Sequence, residues 1–206
     1  MAGYHKVDYD LPLLSDMRRR HFVQTLGVSA LVGSAGCTGQ SDDTASTFDV
    51  SSPAFSSGDE LPARFTCGGD GVSPPFVIER VPEPTAALAV TAEYDGGVFS
   101  QPVFWTLWNV PPETERIPAG LPREPTLDTL GGARQGTQPP NEPGYEPPCP
   151  PAGQPYEHRF QVYALGEKLS IEGGTEQEEA SETIANALIA STRITVDYTH
   201  PVETDS

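Results

Sequence analysis

The stretch Gly144-Tyr-Glu-Pro-Pro-Cys-Pro-Pro-Ala-Gly153, followed by His158-Arg-Phe-Gln-Val-Tyr-Ala-Leu165, carries the most informative pattern of this chain. Proline lacks the backbone N–H that a sheet ladder needs, so the first part predicts a stiff loop. The second part alternates apolar and polar residues, which predicts a strand. His158 lies at the junction, and we therefore expect a rigid, small pocket there.

Two further motifs lie earlier in the chain. They are Phe65-Thr-Cys-Gly-Gly-Asp-Gly-Val-Ser-Pro-Pro75 and Phe104-Trp-Thr-Leu-Trp-Asn-Val-Pro111. With the Pro-rich stretch they resemble the signature of the phosphatidylethanolamine-binding protein (PEBP) family, in its bacterial and archaeal branch. Three separated motifs in the family's order are a specific match. The resemblance implies a PEBP-like antiparallel β-sandwich over residues 48–201.

The pattern of short apolar segments independently predicts a mainly all-β fold. Segments rich in β-branched or aromatic residues are separated by Pro and Gly clusters, which is typical of a β-sandwich. Both faces of the segment 103–110 are apolar, so it should be a central strand that is covered on both sides. The predicted strands are 48–50, 64–67, 76–81, 87–94, 103–110, 159–165 and 193–198.

One helix and one long loop complete the predicted domain. The sequence Thr175-Glu-Gln-Glu178 is typical of a helix capping box. The helix that follows should pack on the sheet, because its apolar residues share one face at helical spacing. Residues 114–147 are rich in Pro, Gly and Thr and predict a long ordered loop. The apolar residues of the helix are Ala180, Ile184, Ala187 and Leu188.

The N-terminus has the pattern of an exported lipoprotein. Arg18-Arg-Arg-His-Phe22 is a basic, twin-arginine segment, and the uncharged run from Phe22 to Ala35 is too short to span a bilayer as a helix. Ser34-Ala-Gly-Cys37 resembles a lipobox, at which a signal is cut and Cys37 is lipidated. The alternative, a buried core helix, is disfavoured by the flanking arginines and by the polar tract after Cys37. We expect a lipid anchor at the extracellular face of the cell membrane.

These features divide the chain into three parts. Residues 17–36 form the predicted twin-arginine signal, and residues 1–16 are interpreted as a mis-called start before Met17. Residues 37–47 are rich in Ser, Thr, Asp and Gly, which predicts a flexible tether. Residues 48–201 are the predicted PEBP-like domain, and their length suits one domain.

Acidic residues dominate the charge of the chain. It has 12 basic and 29 acidic residues, a formal net charge of −17, and Lys168 is the single lysine after Cys37. Nucleic acid is not an expected partner, because phosphate contacts need a basic surface. The acidity suits either a site for cations or basic proteins or a surface adapted to high salt, as in halophilic proteins. The scarcity of lysine favours the second interpretation.

Two cysteines remain beside the lipobox cysteine, and both lie next to Gly or Pro. Export permits a disulfide, and two free buried thiols are the alternative. The resemblance implies that both motifs lie at one end of the sandwich. We therefore predict a disulfide between Cys67 and Cys149, with a Cα separation of about 4.4–6.8 Å. The chain has no Cys-x-x-Cys and no paired histidine spacing, so neither a metal nor another cofactor is expected.

The resemblance also implies a pocket for small anions such as phosphate-like head groups. Strand alternation places Glu93 and Asp95 on one face, about 7 Å apart, at the place where acidic residues border the family's pocket. Tyr145 and the backbone N–H of Cys149 belong to the loop that lines this pocket, and His158 follows it. The alternatives are a solvated edge for the carboxylates and a core position for the histidine.

The chain departs from the family signature at important positions. Phe104 stands where the family has a histidine, and Phe160 stands where it has a tyrosine, so two polar contacts to a ligand are replaced by rings that should line the pocket. Glu93-Tyr-Asp-Gly-Gly97 replaces an Asp-Pro-Asp-Ala-Pro turn, and its two glycines should loosen the rim. We therefore expect a drier pocket that binds anions weakly or prefers a less charged ligand.

Three functions are compatible with these residues. The first is a non-enzymatic binding module for a small anionic or polar ligand, held at the membrane by its lipid alone and able to act on a protein partner. The second is a hydrolase-like enzyme with Glu93 or Asp95 as base and His158 as acid. Against it, the chain has no nucleophile elbow, phosphate loop or metal motif. The third is a structural or inhibitory surface protein whose pocket is vestigial.

Overall fold

The computed structural model describes residues 48–95, 102–138 and 142–202. These residues form nine strands and one α-helix, which is α1, Gln177–Asn186. Two short 3-10 turns, Ala63–Phe65 and Asp128–Leu130, accompany them. The strands are β1 Asp49–Ser51, β2 Phe76–Arg80, β3 Ala87–Tyr94, β4 Val103–Val110, β5 Arg116–Ile117, β6 Thr126–Leu127, β7 Ala133–Gln135, β8 Pro155–Leu165 and β9 Leu188–Thr199.

The strands form two sheets in which every paired strand is antiparallel. The smaller sheet has the order β1-β2-β5, and the larger has the order β6-β7-β4-β3-β8-β9. Between them, Phe76 of β2 lies 6.4 Å from Trp105 of β4 and 5.9 Å from Phe160 of β8, ring centre to ring centre. All three rings are fully buried, and each such side chain stabilises the fold by about 1.5–3 kcal/mol. The predicted all-β sandwich is confirmed.

Strand β4 is central and covered on both sides, as predicted from its two apolar faces. Trp105 and Leu107 belong to the core between the sheets. Trp108 belongs to a second core on the outer face of the large sheet, where it meets Ala180 and Ile184 of α1. The helix is therefore a cover for the outer face of β4.

The helix is present as predicted, but its ends differ from the prediction. Glu176, rather than Thr175, is the N-cap, and no side chain caps the first turn. The Thr175 hydroxyl instead donates to the carbonyl of Glu172 at 2.7 Å. Ala187 is the C-cap, and Leu188 starts β9 with 43 % of its surface exposed. Leu188 therefore does not extend the apolar face of the helix.

Two predictions about loops and strands were wrong in detail. The predicted strand 64–67 is a turn, because the amide of Phe65 donates to the carbonyl of Pro62 and the amide of Thr66 donates to that of Ala63. The predicted loop 114–147 contains the short strands β5, β6 and β7. Each is two or three residues long, which is too short to show a period in the sequence.

The features predicted at the N-terminus lie outside the described residues. They are the signal segment 1–36, the lipidation site Cys37 and the tether 37–47. Gly96 and Gly97, the predicted loose rim of the pocket, also lie outside them. Among the residues that are described, no helix has both the length and the apolar character needed to cross a bilayer.

Candidate functional site

A cavity of about 290 Å³ opens where the Pro-rich loop crosses the ends of β3, β4 and β8. Its walls are mostly apolar rings, and a few polar side chains converge on it, as in small-ligand sites generally. The cavity is lined by Tyr94, Pro102, Val103, Phe104, Gln138, Glu146, Pro147, Pro148, Cys149, Pro150, Pro151 and His158.

The Pro-rich loop is fixed to the sandwich at two points by its own backbone. The amide of Glu146 donates to the carbonyl of Phe104 at 3.0 Å, and the amide of Cys67 donates to the carbonyl of Pro148 at 3.2 Å. Prolines on both sides of Cys149 have fixed φ angles, so the loop has few conformations other than the one that these bonds hold. The loop is therefore a preformed wall of the cavity.

The disulfide is the third attachment, and its prediction is confirmed. Cys67 and Cys149 are bonded, with their Cα atoms 5.3 Å apart, inside the predicted range. The bond closes a loop across a sequence separation of 82 residues. The Nδ1 or Nε2 atom of His200 lies within 4.8 Å of both sulfurs. Because the thiolate is the form of cysteine that binds metals, the disulfide is not a metal site.

Arg123 also holds this loop, a role that no sequence pattern indicated. Its guanidinium donates to the carbonyl of Tyr145 at 3.0 Å, to the carbonyl of Glu142 at 3.1 Å, and to the carboxylate of Glu146 at 2.8 Å. One planar guanidinium offers five N–H donors in a fixed fork, which suits three acceptors on one short segment. Arg123 also neutralises Glu146 at the rim of the cavity.

His158 is the most deeply placed polar group of the cavity, with 1 % of its surface exposed. Its Nδ1 lies 2.8 Å from the carbonyl of Tyr156, and a carbonyl can only accept, so Nδ1 carries a proton. In the neutral ring Nε2 is then an acceptor. Burial lowers the pKa of His158, while the bond to Tyr156 and the charge of Asp197 oppose that shift. The ring is therefore neutral at pH 7.

Aromatic rings surround this histidine. Its ring centre lies 5.9 Å from that of Phe104 and 6.1 Å from that of Tyr94, which line the cavity, and 6.2 Å from that of Tyr198. Such ring pairs are close enough for edge-to-face and tilted attraction. The side chain is therefore held in one orientation.

Tyr145 and Phe160 lie beneath the cavity and do not line it, contrary to the prediction. The Tyr145 hydroxyl donates to the carbonyl of Phe65 at 2.7 Å, and burial raises the pKa of this hydroxyl well above its usual value. Tyr145 supports Phe104 edge-on, with ring centres 5.8 Å apart. Phe160 is fully buried and packs against Phe55 and Phe104. Both are part of the floor that positions Phe104.

Glu93 and Asp95 do not line the cavity, which corrects the predicted site. Tyr94 is the residue of β3 that pairs with His158, while Glu93 pairs with Arg159. Successive side chains of a strand point to opposite faces, so Glu93 points away from the histidine. The Arg159 guanidinium lies 3.8 Å from Glu93, 3.3 Å from Asp95 and 2.7 Å from Glu157. The carboxylates belong to an ion-pair network on the outer face.

The cavity can therefore do limited chemistry. Its polar side-chain groups are the Nε2 acceptor of His158, the hydroxyl of Tyr94, the amide of Gln138 and the carboxylate of Glu146, which is ion-paired with Arg123. No lining residue in the described parts of the chain is Lys or Arg. Such a cavity offers acceptors and aromatic faces rather than the cationic donors that hold a phosphate. It suits a small ligand that donates hydrogen bonds.

Comparison with known proteins places this geometry in a family. A family model described as "Phosphatidylethanolamine-binding protein" matches residues 51–199. The "UPF0098 protein PH1269" of Pyrococcus horikoshii is 32 % identical over 155 residues, which are 75 % of this chain and 77 % of that one. The "Putative lipoprotein LppC" of Mycobacterium tuberculosis is 28 % identical over 210 residues, 89 % of this chain and 96 % of that one.

A solved structure supports the same assignment. The crystal structure of Escherichia coli YbcL, described as a new member of the mammalian PEBP family, superposes with a TM-score of 0.68 at 28 % identity. The match covers 74 % of this chain and 98 % of YbcL. The matched sequence span and the superposed sandwich agree, and the chain belongs to the phosphatidylethanolamine-binding protein family.

Proposed function

We propose that the protein is a binding module that holds a small polar ligand in the cavity beside His158. The observation that carries this proposal is the state of that histidine. It is buried, it lines the cavity, and its Nδ1 is already bonded to Tyr156, so Nε2 is the ring atom that remains for a ligand. An imidazole nitrogen without a proton accepts hydrogen bonds, and a ligand N–H or O–H in the cavity would supply one.

Phosphate is an unfavourable ligand for this cavity. A phosphate needs donors and positive charge, whereas the ring of His158 is neutral at pH 7 and Phe104 offers no polar atom. The rings of Phe104 and Tyr94 instead provide apolar and π surface at the walls, which suits an uncharged or cationic small molecule. We infer that the ligand is polar but not strongly anionic.

Calorimetry on the purified protein tests this proposal directly. Phosphate, phosphoethanolamine and ethanolamine should be titrated into the protein and into His158→Ala. We expect weak or no binding of phosphate, and tighter binding of any ligand that has a donor for Nε2. Phe104→His adds a donor to the wall and should strengthen phosphate binding, with Phe104→Leu as the matched apolar control. Tight phosphate binding that His158→Ala abolishes would refute the weakened-anion cavity.

Membrane anchoring is the second part of the proposal. The similarity to a protein named as a lipoprotein supports lipidation of Cys37, together with the lipobox-like Ser34-Ala-Gly-Cys37. The domain would then work at the extracellular face of the cell membrane and could modulate a protein partner there. Cys37→Ser should release the protein into the medium or trap its precursor. An unchanged membrane fraction would contradict the anchor.

A vestigial cavity in a structural or inhibitory surface protein is the competing proposal, and the few polar lining groups favour it. Native mass spectrometry separates the two, because a binding module should retain a small molecule that His158→Ala loses. The hydrolase-like alternative is not favoured, because Glu93 and Asp95 form ion pairs on the outer face of the sheet and not beside His158.

A further inference from the structure

Strand β9 is an outer strand of the large sheet, and only part of its free edge is covered. Along its C-terminal half, the segment 57–61 of the same chain bonds to the edge. The amide of Gly58 donates to the carbonyl of Thr195 at 2.8 Å, and the amide of Leu61 donates to that of Asp197 at 2.7 Å. In the other direction, the amide of Thr195 donates to the Ser57 hydroxyl at 3.1 Å. The edge is thus competent to accept a further strand.

The N-terminal half of the same edge is open. Backbone groups of a strand alternate between its two sides, so Ser191 and Arg193 face the same way as Thr195 and Asp197. Within residues 48–95, 102–138 and 142–202, no protein group bonds to the outward N–H or C=O of Ser191 or Arg193. Unpaired edge groups of this kind are a template for another strand.

The side chains of this open edge favour contact with another protein surface. Leu188 and Ile189 expose 43 % and 45 % of their surface, and they are large apolar residues at the start of the strand. Residues 183–196 contain no acidic residue, in a chain with a net charge of −17. Arg193 is the single charged residue in that stretch. The edge is therefore a place where two acidic molecules can approach with little local repulsion.

We propose that residues 189–193 of β9 pair with the same residues of a second copy of this chain. An antiparallel pairing about a two-fold axis at Ser191 sets Ile189 of each copy opposite Arg193 of the other, and neither copy reaches Thr195. A two-fold axis at Thr192 would set Ile189 opposite Thr195, whose outward groups are already occupied by Ser57 and Gly58. An isologous pairing of one patch with itself is the commonest form of homodimer.

Cross-linking tests the predicted two-fold axis. Two directly opposed residues in a hydrogen-bonded antiparallel pair have Cα atoms about 5.5 Å apart, which a disulfide can bridge. Ser191→Cys should therefore form a covalent dimer under mild oxidation. Glu182→Cys, which is exposed on α1 away from the edge, is the matched control and should dimerise at least about tenfold more slowly. Equal cross-linking of the two variants would overturn the proposal.

The backbone itself is tested by Ser191→Pro, measured by sedimentation over a concentration series. The amide of Ser191 faces away from β8, so proline removes the intermolecular donor and leaves the β8–β9 ladder intact. Ser191→Ala is the matched control, because both variants lose the 3.0 Å bond from Gln161 to the Ser191 hydroxyl. Ser191→Pro should weaken dimerisation at least tenfold relative to Ser191→Ala, about 1.4 kcal/mol. If Ser191→Pro unfolds, Ser191→Asp tests the same point by like-charge repulsion at the axis.

Several outcomes would overturn the second copy as the occupant. One is a protein that sediments as a monomer at every concentration. Another is a dimer whose dissociation constant is unchanged by both Ser191→Pro and Ser191→Asp. Amides of Ser191 and Arg193 that resist hydrogen exchange in a monomer would show that a segment of the same chain covers the edge. Ligand binding near His158 should be unchanged in all these variants, so the outcome is independent of the proposed function.

Discussion

Removing the disulfide gives the most quantitative test of how this fold is held together. The double substitution Cys67→Ser and Cys149→Ser frees a loop with a sequence separation of 82 residues. In the chain-entropy model, the cross-link changes the entropy of the unfolded chain by about −2.1 − 1.5R ln n cal/mol/K, and at n = 82 the loss of this constraint corresponds to about 4.5 kcal/mol at 25 °C. Both cysteines are exposed, so lost packing adds little.

Urea unfolding of the purified protein measures this loss. The free energy of unfolding should fall by about 3–5 kcal/mol, which is a large part of the 5–15 kcal/mol typical of a domain. The urea midpoint should fall with it. The native fold should persist, because Arg123 and the backbone bonds of Glu146 and Cys67 still hold the loop. Native protein reduced with a phosphine is the matched control and should behave like the double variant.

Two results would refute the reasoning. A loss below about 1 kcal/mol would mean that the unfolded chain is already restricted, so that closing the loop changes little. A loss of the same size in Cys67→Ser and in the reduced native protein, but none in the double variant, would point to a harmful free thiol rather than to loop entropy. The free energy of ligand binding should change less than the free energy of unfolding, because Cys149 is only one of the residues that line the cavity.

Three further predictions concern the cavity and its supports. In urea unfolding, Arg123→Ala should lower the free energy of unfolding by about 1–2 kcal/mol. Arg123→Lys should have a stability between those of the native protein and Arg123→Ala, because an ammonium lacks the fork geometry that reaches all three acceptors. Burial lowers the pKa of His158 in the folded state, so the unfolded chain binds this proton more tightly. The contribution of the neutral histidine to stability should therefore be full above about pH 6.5 and should decline as the pH falls below that value. Urea midpoints measured from about pH 7.5 to 5 should show this decline in the native protein and not in His158→Gln. Glu93→Gln and Asp95→Asn should leave ligand affinity within about twofold in calorimetry, because both carboxylates pair with Arg159 outside the cavity; a loss greater than tenfold (about 1.4 kcal/mol) would return them to the site.

The sequence by itself determined the fold class, the central strand and the disulfide. The two apolar faces of residues 103–110 required cover on both sides, and they have it. The three motifs identified the family, and the family implied that Cys67 and Cys149 meet. The helix could also be predicted, since Ala180 and Ile184 stand at helical spacing on its buried face. Such features are set by periods and by short contiguous motifs, which a single sequence displays.

Only the tertiary structure decided which groups face the cavity. Alternation in β3 separates Glu93 from Tyr94 but does not say on which side of the sheet the Pro-rich loop forms the cavity. The pairing of Tyr94 with His158 settles it, and the register of β3 against β4 shifts between Ala92 and Glu93, close to the site. Acidic residues stay at the solvated face because burying their charge is costly.

The tertiary structure alone also decided which contacts hold the Pro-rich loop and which sheet edge is open. Arg123 reaches acceptors 19 to 23 residues away, and nothing in the local sequence distinguishes it from other surface arginines. Tyr145 and Phe160 have the residue types of a cavity wall, yet layered packing of rings places them beneath Phe104. The free edge of β9 depends on the order of the strands in the sheet. Such features depend on packing between residues that are far apart in the sequence, and local periodicity does not predict that packing.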